Sequence, residues 1–166
     1  SLMSVSEMFY DARDFDGDLG GWNTARLTNM VRAFQGAGKF TGTGLGVWDV
    51  ASVTTMNAAF QGHWDGSAWI SQFNPNLGGW NTARLTRLDY AFEGSAFTGA
   101  GLASWDVSSV TTLKEAFKDS QLSASLGAWN TARVTTVEEA FKATPSFTGA
   151  GVEAWDVAAI TDYDEA

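Results

Sequence analysis

Apolar residues recur at fixed distances along the whole chain. Within a shared pattern of neighbours, a Trp followed by Asn or Asp recurs six times, at intervals of 24 to 26 residues apart from one interval of 32. Each copy has an apolar residue three positions before the Trp, another five positions after it and then Thr, and five copies continue to Ala-Phe. Such self-similarity predicts a repeat architecture. The repeated aromatic residues are Trp22, Trp48, Trp80, Trp105, Trp129 and Trp155, with Phe34, Phe60, Phe92, Phe117 and Phe141.

One repeat is too short to bury its own apolar face, so the pattern predicts that the repeats stack and share a core. The segment 54–60 predicts a short helix, because Val53, Met56 and Phe60 fall on one helical face and Thr54 suits the N-cap. The segment 45–48 predicts a short strand after a Gly-rich turn, and such strands would lie parallel in successive repeats. The predicted fold is therefore an α/β repeat of about six coils, each a short parallel strand plus a short helix.

The six repeat Trp residues admit two interpretations, a stripe that binds a sugar or partner and a ladder of indoles in the core. Each Trp lies at nearly fixed distances from the other apolar positions of its repeat, which favours the interpretation as core residues. The Asn or Asp after each Trp is interpreted as making a side-chain-to-backbone bond rather than a metal ladder. An Arg column in alternate copies favours a solvated or Asp-paired row over an anion site. It consists of Arg26, Arg84 and Arg133.

The long interval contains an irregular insertion at 62–70. It carries the only His of the chain and the only two Trp residues outside the repeat. Insertions in repeat proteins form loops on one face, which is often the binding face. The candidate binding residues are His63, Trp64, Asp65 and Trp69. The loop could stack on a sugar or anchor a protein partner, or its Trp side chains could fold back and cover a gap in the stack.

Composition and charge narrow the functional classes. The chain is 45% hydrophobic and 13% aromatic, enough for a sizeable core. Ten basic and 19 acidic residues give a net charge of −9, which excludes a nucleic-acid partner. The longest apolar runs are a few residues, far short of the roughly 20 that span a bilayer, so direct membrane insertion is not expected. The length of 166 residues predicts one domain over 1–166.

Motifs for catalysis are missing from the sequence. There is one His, no Cys, no nucleophile elbow and no phosphate-binding Gly-x-x-x-x-Gly-Lys, so we predict no enzyme, no catalytic residue and no cofactor. The run 14–18, Asp-Phe-Asp-Gly-Asp, partly matches a calcium loop. An EF-hand needs Gly at its sixth position and Glu at its twelfth, where this chain has Leu19 and Ala25. No metal site is predicted.

The motif W-[ND]-x-x-x-V-T-x-M-x-x-x-F, as at 48–60, resembles that of the BspA-type leucine-rich-repeat surface proteins. It is more similar still to the repeat family of unknown function found in mycoplasma surface lipoproteins and in algae and other protists. The resemblance implies a right-handed leucine-rich-repeat-like solenoid and display on the cell surface or outside the cell. The family supplies no catalytic residues.

Two functions are expected from these observations. The first is a non-catalytic, surface-displayed recognition module for protein or glycan, with a role such as adhesion. The alternative is a structural or scaffold subunit of a larger assembly, which could be intracellular or organellar. Val5 and Phe15 match the second half of a repeat, and the sequence stops at Ala166, just before the next Phe is due. We therefore expect an array that starts and ends mid-repeat and belongs to a longer protein.

Overall fold

Turns and irregular backbone, rather than helices or strands, make up most of the computed structural model, which describes residues 2–165. Within that range there are three 3₁₀ helices and no α-helix. The 3₁₀ helices span Leu45–Val47, Leu102–Ser104 and Val152–Ala154. The only two strands of that range, β1 (His63–Trp64) and β2 (Trp69–Ile70), pair antiparallel in the insertion. The expectation about Ala166 lies outside the described residues.

The repeats stack on one another in sequence order. One residue of each repeat forms an isolated parallel bridge to the equivalent residue of the next, so a row of single bridges runs along the molecule. The residues of this row are Ser4, Asn29, Thr55, Arg87, Thr112, Thr136 and Asp162. The Thr column lies beside it: both the backbone N–H and the hydroxyl of Thr86 donate to the carbonyl of Thr54, each at 2.9 Å. Backbone pairing between repeats therefore replaces regular elements within a repeat.

The predicted α/β repeat with a helix in each coil is wrong. In 54–60 the backbone N–H of Ala58 donates to the carbonyl of Asp89 at 2.8 Å, and that of Phe60 donates to Ala91 at 2.9 Å. These donors serve the next repeat instead of a helix. A helix of two turns is marginal by itself, so this pairing prevails. The apolar spacing wrongly predicted a helix because turns can produce the same spacing. The N–H of Ala59 donates to the carbonyl of Met56 at 2.9 Å, and the turn that this bond closes also points residues inward at steps of three.

Left-handed backbone at one position of every repeat also excludes the predicted helix. Seven non-glycine residues, each at the same place in its repeat, have φ between 48° and 58°. A left-handed L-residue costs roughly 1–2 kcal/mol, and the contacts between repeats hold it there. The residues are Glu7, Arg32, Ala58, Tyr90, Glu115, Glu139 and Glu165.

The strand predicted at 45–48 is wrong as well. Gly44 has a left-handed φ of 85°, and Leu45–Val47 then forms a 3₁₀ turn closed by the Trp48 N–H on the Leu45 carbonyl. Parallel pairing occurs instead at the position after the repeat Thr, as at Thr55. The leucine-rich-repeat-like solenoid implied by the resemblance required a strand and a helix in each coil, and this chain forms neither there.

The apolar columns form one continuous core. Trp48, Trp80, Trp105 and Trp129 are buried, whereas Trp22 and Trp155 at the two ends are partly buried. Neighbouring indoles stack, as in Trp80 and Trp105, whose ring centroids lie 5.9 Å apart. The Phe side chains form a second stack beside them, in which Phe34, Phe60, Phe92 and Phe117 are buried and Phe141 is partly buried. The surface of this stack carries the insertion.

Candidate binding groove at the inserted hairpin

The insertion folds as a tight β-hairpin. Strands β1 and β2 pair His63 with Ile70 and Trp64 with Trp69. The turn between them is held by Asp65, whose Oδ1 accepts hydrogen bonds of 2.8 Å from the N–H and hydroxyl of Ser67 and from the N–H of Ala68. The backbone N–H of Ala68 contributes most to lowering the pKa of Asp65, followed by Ser67. Asp65 therefore shapes the turn.

A row of glycines makes room for side chains that surround the groove. Gly36, Gly62 and Gly94 occupy the second position after the repeat Phe. A Cβ on Gly94 would lie 2.1 Å from Cδ2 of Trp69, so the indole of Trp69 rests directly on this backbone. The repeats on either side carry Asp11 and Asp119 at the same position. Gly94 and Gly62 therefore leave space for Trp69, whereas Gly36 leaves space for the side chain of Asp11.

A groove of about 320 Å³ opens between the hairpin and the repeat stack. Trp64 is 51% exposed and Tyr10 is 50% exposed, and both line it. Trp64 stands edge-to-face against the partly buried Trp69, with ring centroids 5.5 Å apart and an interplanar angle of 61°. The lining residues are Tyr10, Asp11, Gln35, Gly36, Gln61, Gly62, His63, Trp64 and Trp69. Aromatic walls thus surround a mostly polar space.

A chain of polar side chains runs under the groove. Nε2 of Gln35 donates to Oε1 of Gln61, and Nε2 of Gln61 donates to Oε2 of Glu93. Oε1 of Gln35 is buried and has no hydrogen-bond partner among residues 2–165. Loss of solvation raises the pKa of the buried Glu93 to about 7, and the amide of Gln61 opposes this rise. The chain ends in an unused acceptor on one side and a carboxyl group on the other.

His63 links the hairpin to the first repeat. Its Nδ1 lies 3.7 Å from Oδ1 of Asp11, and Nε of Arg13 lies 4.0 Å from the same oxygen. The backbone N–H of Asp11 donates to the carbonyl of Gln35 at 2.8 Å. Because Asp11 is fixed by its backbone, these contacts position β1 over the first two repeats.

The structure brings three of the four sequence-predicted candidates together. His63, Trp64 and Trp69 line the groove, whereas Asp65 lies at the hairpin turn and is absent from the lining. Sequence reasoning missed Tyr10, Asp11, Gln35 and Gln61. Two signals could have found them: the glycines at the second position after the Phe, and the polar residues directly after it, namely Tyr10, Gln35, Gln61 and Glu93.

The other columns have structural contacts. The Asn or Asp after each Trp accepts a hydrogen bond from the backbone two residues on, as from Ala51 to Asp49 Oδ1 at 3.0 Å, which confirms the side-chain-to-backbone interpretation. Arg26, Arg84 and Arg133 are exposed. A larger cavity of about 550 Å³ is lined by core side chains of the last repeats, including Phe141 and Trp155. Its lining residues belong to the apolar columns that earlier repeats bury in the core, so we do not interpret this cavity as a binding site.

Two further features concern metals and membranes. Among residues 2–165, no three or more His, Asp or Glu side chains gather in a way that could hold a metal ion. No helix in the described part of the chain is long and apolar enough to cross a membrane.

The family described as Mycoplasma protein of unknown function, DUF285, matches residues 3–96 and 65–166. The chain belongs to this family. The family's description assigns no activity, and no curated protein and no solved structure matches the chain. Membership confirms the expected mycoplasma repeat family and leaves the function to be argued from the groove.

Proposed function

We propose that this member of the family is a non-catalytic recognition module that binds protein or glycan in the groove beside the hairpin. The exposure of Trp64 is the observation that carries the proposal. A side chain of this size could bury most of its surface, yet Trp64 is about half exposed and lines the groove. Aromatic anchors in partly enclosed sites dominate binding energies at many interfaces. The hairpin then presents Trp64, and Trp69 fastens the hairpin to the stack.

The lining residues favour binding over catalysis. The nine residues that line the groove include no Ser, Thr, Cys or Lys, so the only nucleophilic side chains in this set are Tyr10, Asp11 and His63. His63 and Asp11, the imidazole and carboxyl group of the lining, lie close to one another. Their pairing supports a role in holding the hairpin.

Display on the cell surface belongs to the same proposal. It rests on the resemblance of the repeat motif to that of BspA-type surface proteins, which goes beyond the family match, and on the net charge of −9, which favours solubility. Labelling intact source cells with a membrane-impermeant amine reagent tests it. Modification of this protein before lysis supports surface display, and modification only after lysis contradicts it.

Binding to printed arrays of glycans and of purified proteins tests the groove. The fluorescently labelled chain, its Trp64→Ala variant and a matched Tyr163→Ala variant are compared; Tyr163 is exposed and lies outside the groove. We expect spots that lose at least tenfold in signal with Trp64→Ala and keep it with Tyr163→Ala. If no spot depends on Trp64, the groove is not the binding site.

A further inference from the structure

We propose that the ligand of this groove is an uncharged sugar unit of a glycan, held between Trp64 and Tyr10. The inference rests on the proposed function and names its ligand class.

The aromatic walls are the first support. Three aromatic side chains are among the large exposed apolar residues of the described chain, and two of them, Tyr10 and Trp64, line this one groove although they lie far apart in sequence. A pyranose ring carries C–H groups on its faces and hydroxyl groups around its rim. Aromatic rings present an apolar, electron-rich face to such C–H groups. Two exposed aromatic side chains at one groove therefore suit the faces of a sugar.

The polar lining suits the rim of the sugar. The amides of Gln35 and Gln61 each combine a donor with an acceptor, and Asp11 adds acceptors. Hydroxyl groups both donate and accept, so they match this mixture. Oε1 of Gln35 is a buried acceptor with no partner in residues 2–165, and a buried acceptor without a donor is unfavourable. Rotation of the Gln35 amide toward the groove would let a sugar hydroxyl supply that donor.

The volume and charge of the groove narrow the ligand. A volume of about 320 Å³ is at the small end of the roughly 300–1,000 Å³ found for ligand pockets, which suits a monosaccharide unit or the end of a glycan. No Lys or Arg is among the lining residues, and His63 faces Asp11. The buried Glu93 lies behind Gln61. An anionic sugar would meet the carboxyl group of Asp11 with no Lys or Arg in the lining, and Arg13 beside the groove is already engaged with Asp11, so an uncharged sugar is favoured.

A peptide fits the groove less well. Peptides bind to sheet edges through several main-chain hydrogen bonds or place apolar side chains in apolar grooves. Strands β1 and β2 are only two residues long, which leaves a very short edge. The floor beside them is made of glycines and amides, so it offers no apolar side-chain pocket.

Affinity electrophoresis in native gels tests the inference. The gels contain soluble neutral polysaccharides (a β-glucan, a xylan and a mannan) or acidic ones (polygalacturonate and heparin). The chain is compared with Trp64→Ala, Tyr10→Ala and the matched control Tyr163→Ala. We expect retardation by at least one neutral polysaccharide, at least tenfold weaker binding for Trp64→Ala and Tyr10→Ala, and a change below twofold for Tyr163→Ala.

Other outcomes overturn the inference. Retardation by the acidic polysaccharides alone, or by none, contradicts an uncharged sugar, and neutral binding that persists in both groove variants contradicts this site. Thermal unfolding of each variant checks that the repeats remain folded. If the arrays show Trp64-dependent binding to proteins alone, this inference fails and the recognition function stands. If no Trp64-dependent binding is found on either array or gel, both fail.

Discussion

The indole Nε1 of Trp80 donates a hydrogen bond of 2.7 Å to the carbonyl oxygen of Leu45 in the preceding repeat. The same carbonyl accepts the backbone N–H of Trp48 at 3.0 Å, so it joins two repeats. Four other Trp residues of the repeat make the same indole hydrogen bond to the preceding repeat. The further donor and acceptor pairs are Trp48 with Leu19, Trp105 with Leu77, Trp129 with Leu102, and Trp155 with Leu126. The indole ladder therefore ties successive repeats by hydrogen bonds as well as by stacking.

Replacing Trp80 by Phe should destabilise the protein. Phe removes the hydrogen bond, worth about 1 kcal/mol, and leaves a cavity beside Trp105 in the stack. We expect the free energy of unfolding to fall by about 2–3 kcal/mol, measured by urea unfolding. Trp155→Phe is the matched control, because Trp155 makes the same bond at 3.1 Å but is partly exposed. Equal losses in the two variants would show that burial in the ladder contributes nothing.

Replacing Ala143 by Gly should stabilise the protein. Ala143 is exposed and has a left-handed φ of 53°, at the position where three other repeats carry Gly. Relief of this conformation should outweigh the extra entropy of Gly in the unfolded chain. We expect a gain of roughly 0.5–1 kcal/mol in urea unfolding. Ala132→Gly, at an exposed position outside the left-handed set, should lose stability, and a gain there as large as at Ala143 would refute the explanation.

Glu93 should make the stability depend on pH. Its pKa rises from 4.5 to about 7, chiefly because burial removes its solvation; Glu115 and Asp119 add to the rise, and Gln61 and Lys118 oppose it. The folded state therefore binds the proton more tightly than the unfolded state. The contribution of this group is complete below about pH 4.5 and is lost as the pH rises through 7. Allowing for solvent screening, we expect a fall of about 2 kcal/mol in the free energy of unfolding from this group.

Glu93→Gln tests that contribution, since an amide can still accept the hydrogen bond from Gln61. Urea unfolding at pH 4.5, 6 and 8 should show a flatter profile for the variant, which should exceed the original chain in stability at pH 8. The exposed Glu153 serves as control through Glu153→Gln. If Glu153→Gln flattens the pH dependence of the free energy of unfolding as much as Glu93→Gln does, the effect does not come from the burial of Glu93.

The two Trp residues of the hairpin should differ in their effect on stability. Trp69 rests on Gly94 and is partly buried, so Trp69→Ala should lower the free energy of unfolding by about 2–3 kcal/mol. Trp64 is exposed, and Trp64→Ala should change it by about 1 kcal/mol or less, mostly through the lost ring contact. Thermal and urea unfolding measure both. A larger loss for Trp64 than for Trp69 would reverse the two roles.

Much of the core could be predicted from the sequence because its signal is periodic. The spacing of Trp48, Trp80 and the Phe column identified which side chains repeat together, and their burial follows from stacking. The irregular interval located the hairpin and three of the groove residues. The local conformation was missed, because the same spacing of Met56, Ala59 and Phe60 fits a helix and a series of turns equally well.

The groove could be predicted only in part, because its two sides come from distant segments. Tyr10 belongs to the first repeat and Trp64 to the hairpin. A single sequence does not indicate that these two residues lie close together. Their proximity depends on how the hairpin packs beside Gly36 and Gly62.

The sequence by itself therefore determined the repeat period, the core columns, the position of the insertion and the acidic charge, because each is a property of residue order alone. The tertiary structure decided that turns replace helices, since the N–H groups of each repeat find their acceptors in the next one. It also decided which side chains surround Trp64. Both outcomes depend on pairing between repeats, a long-range interaction that local propensity does not encode.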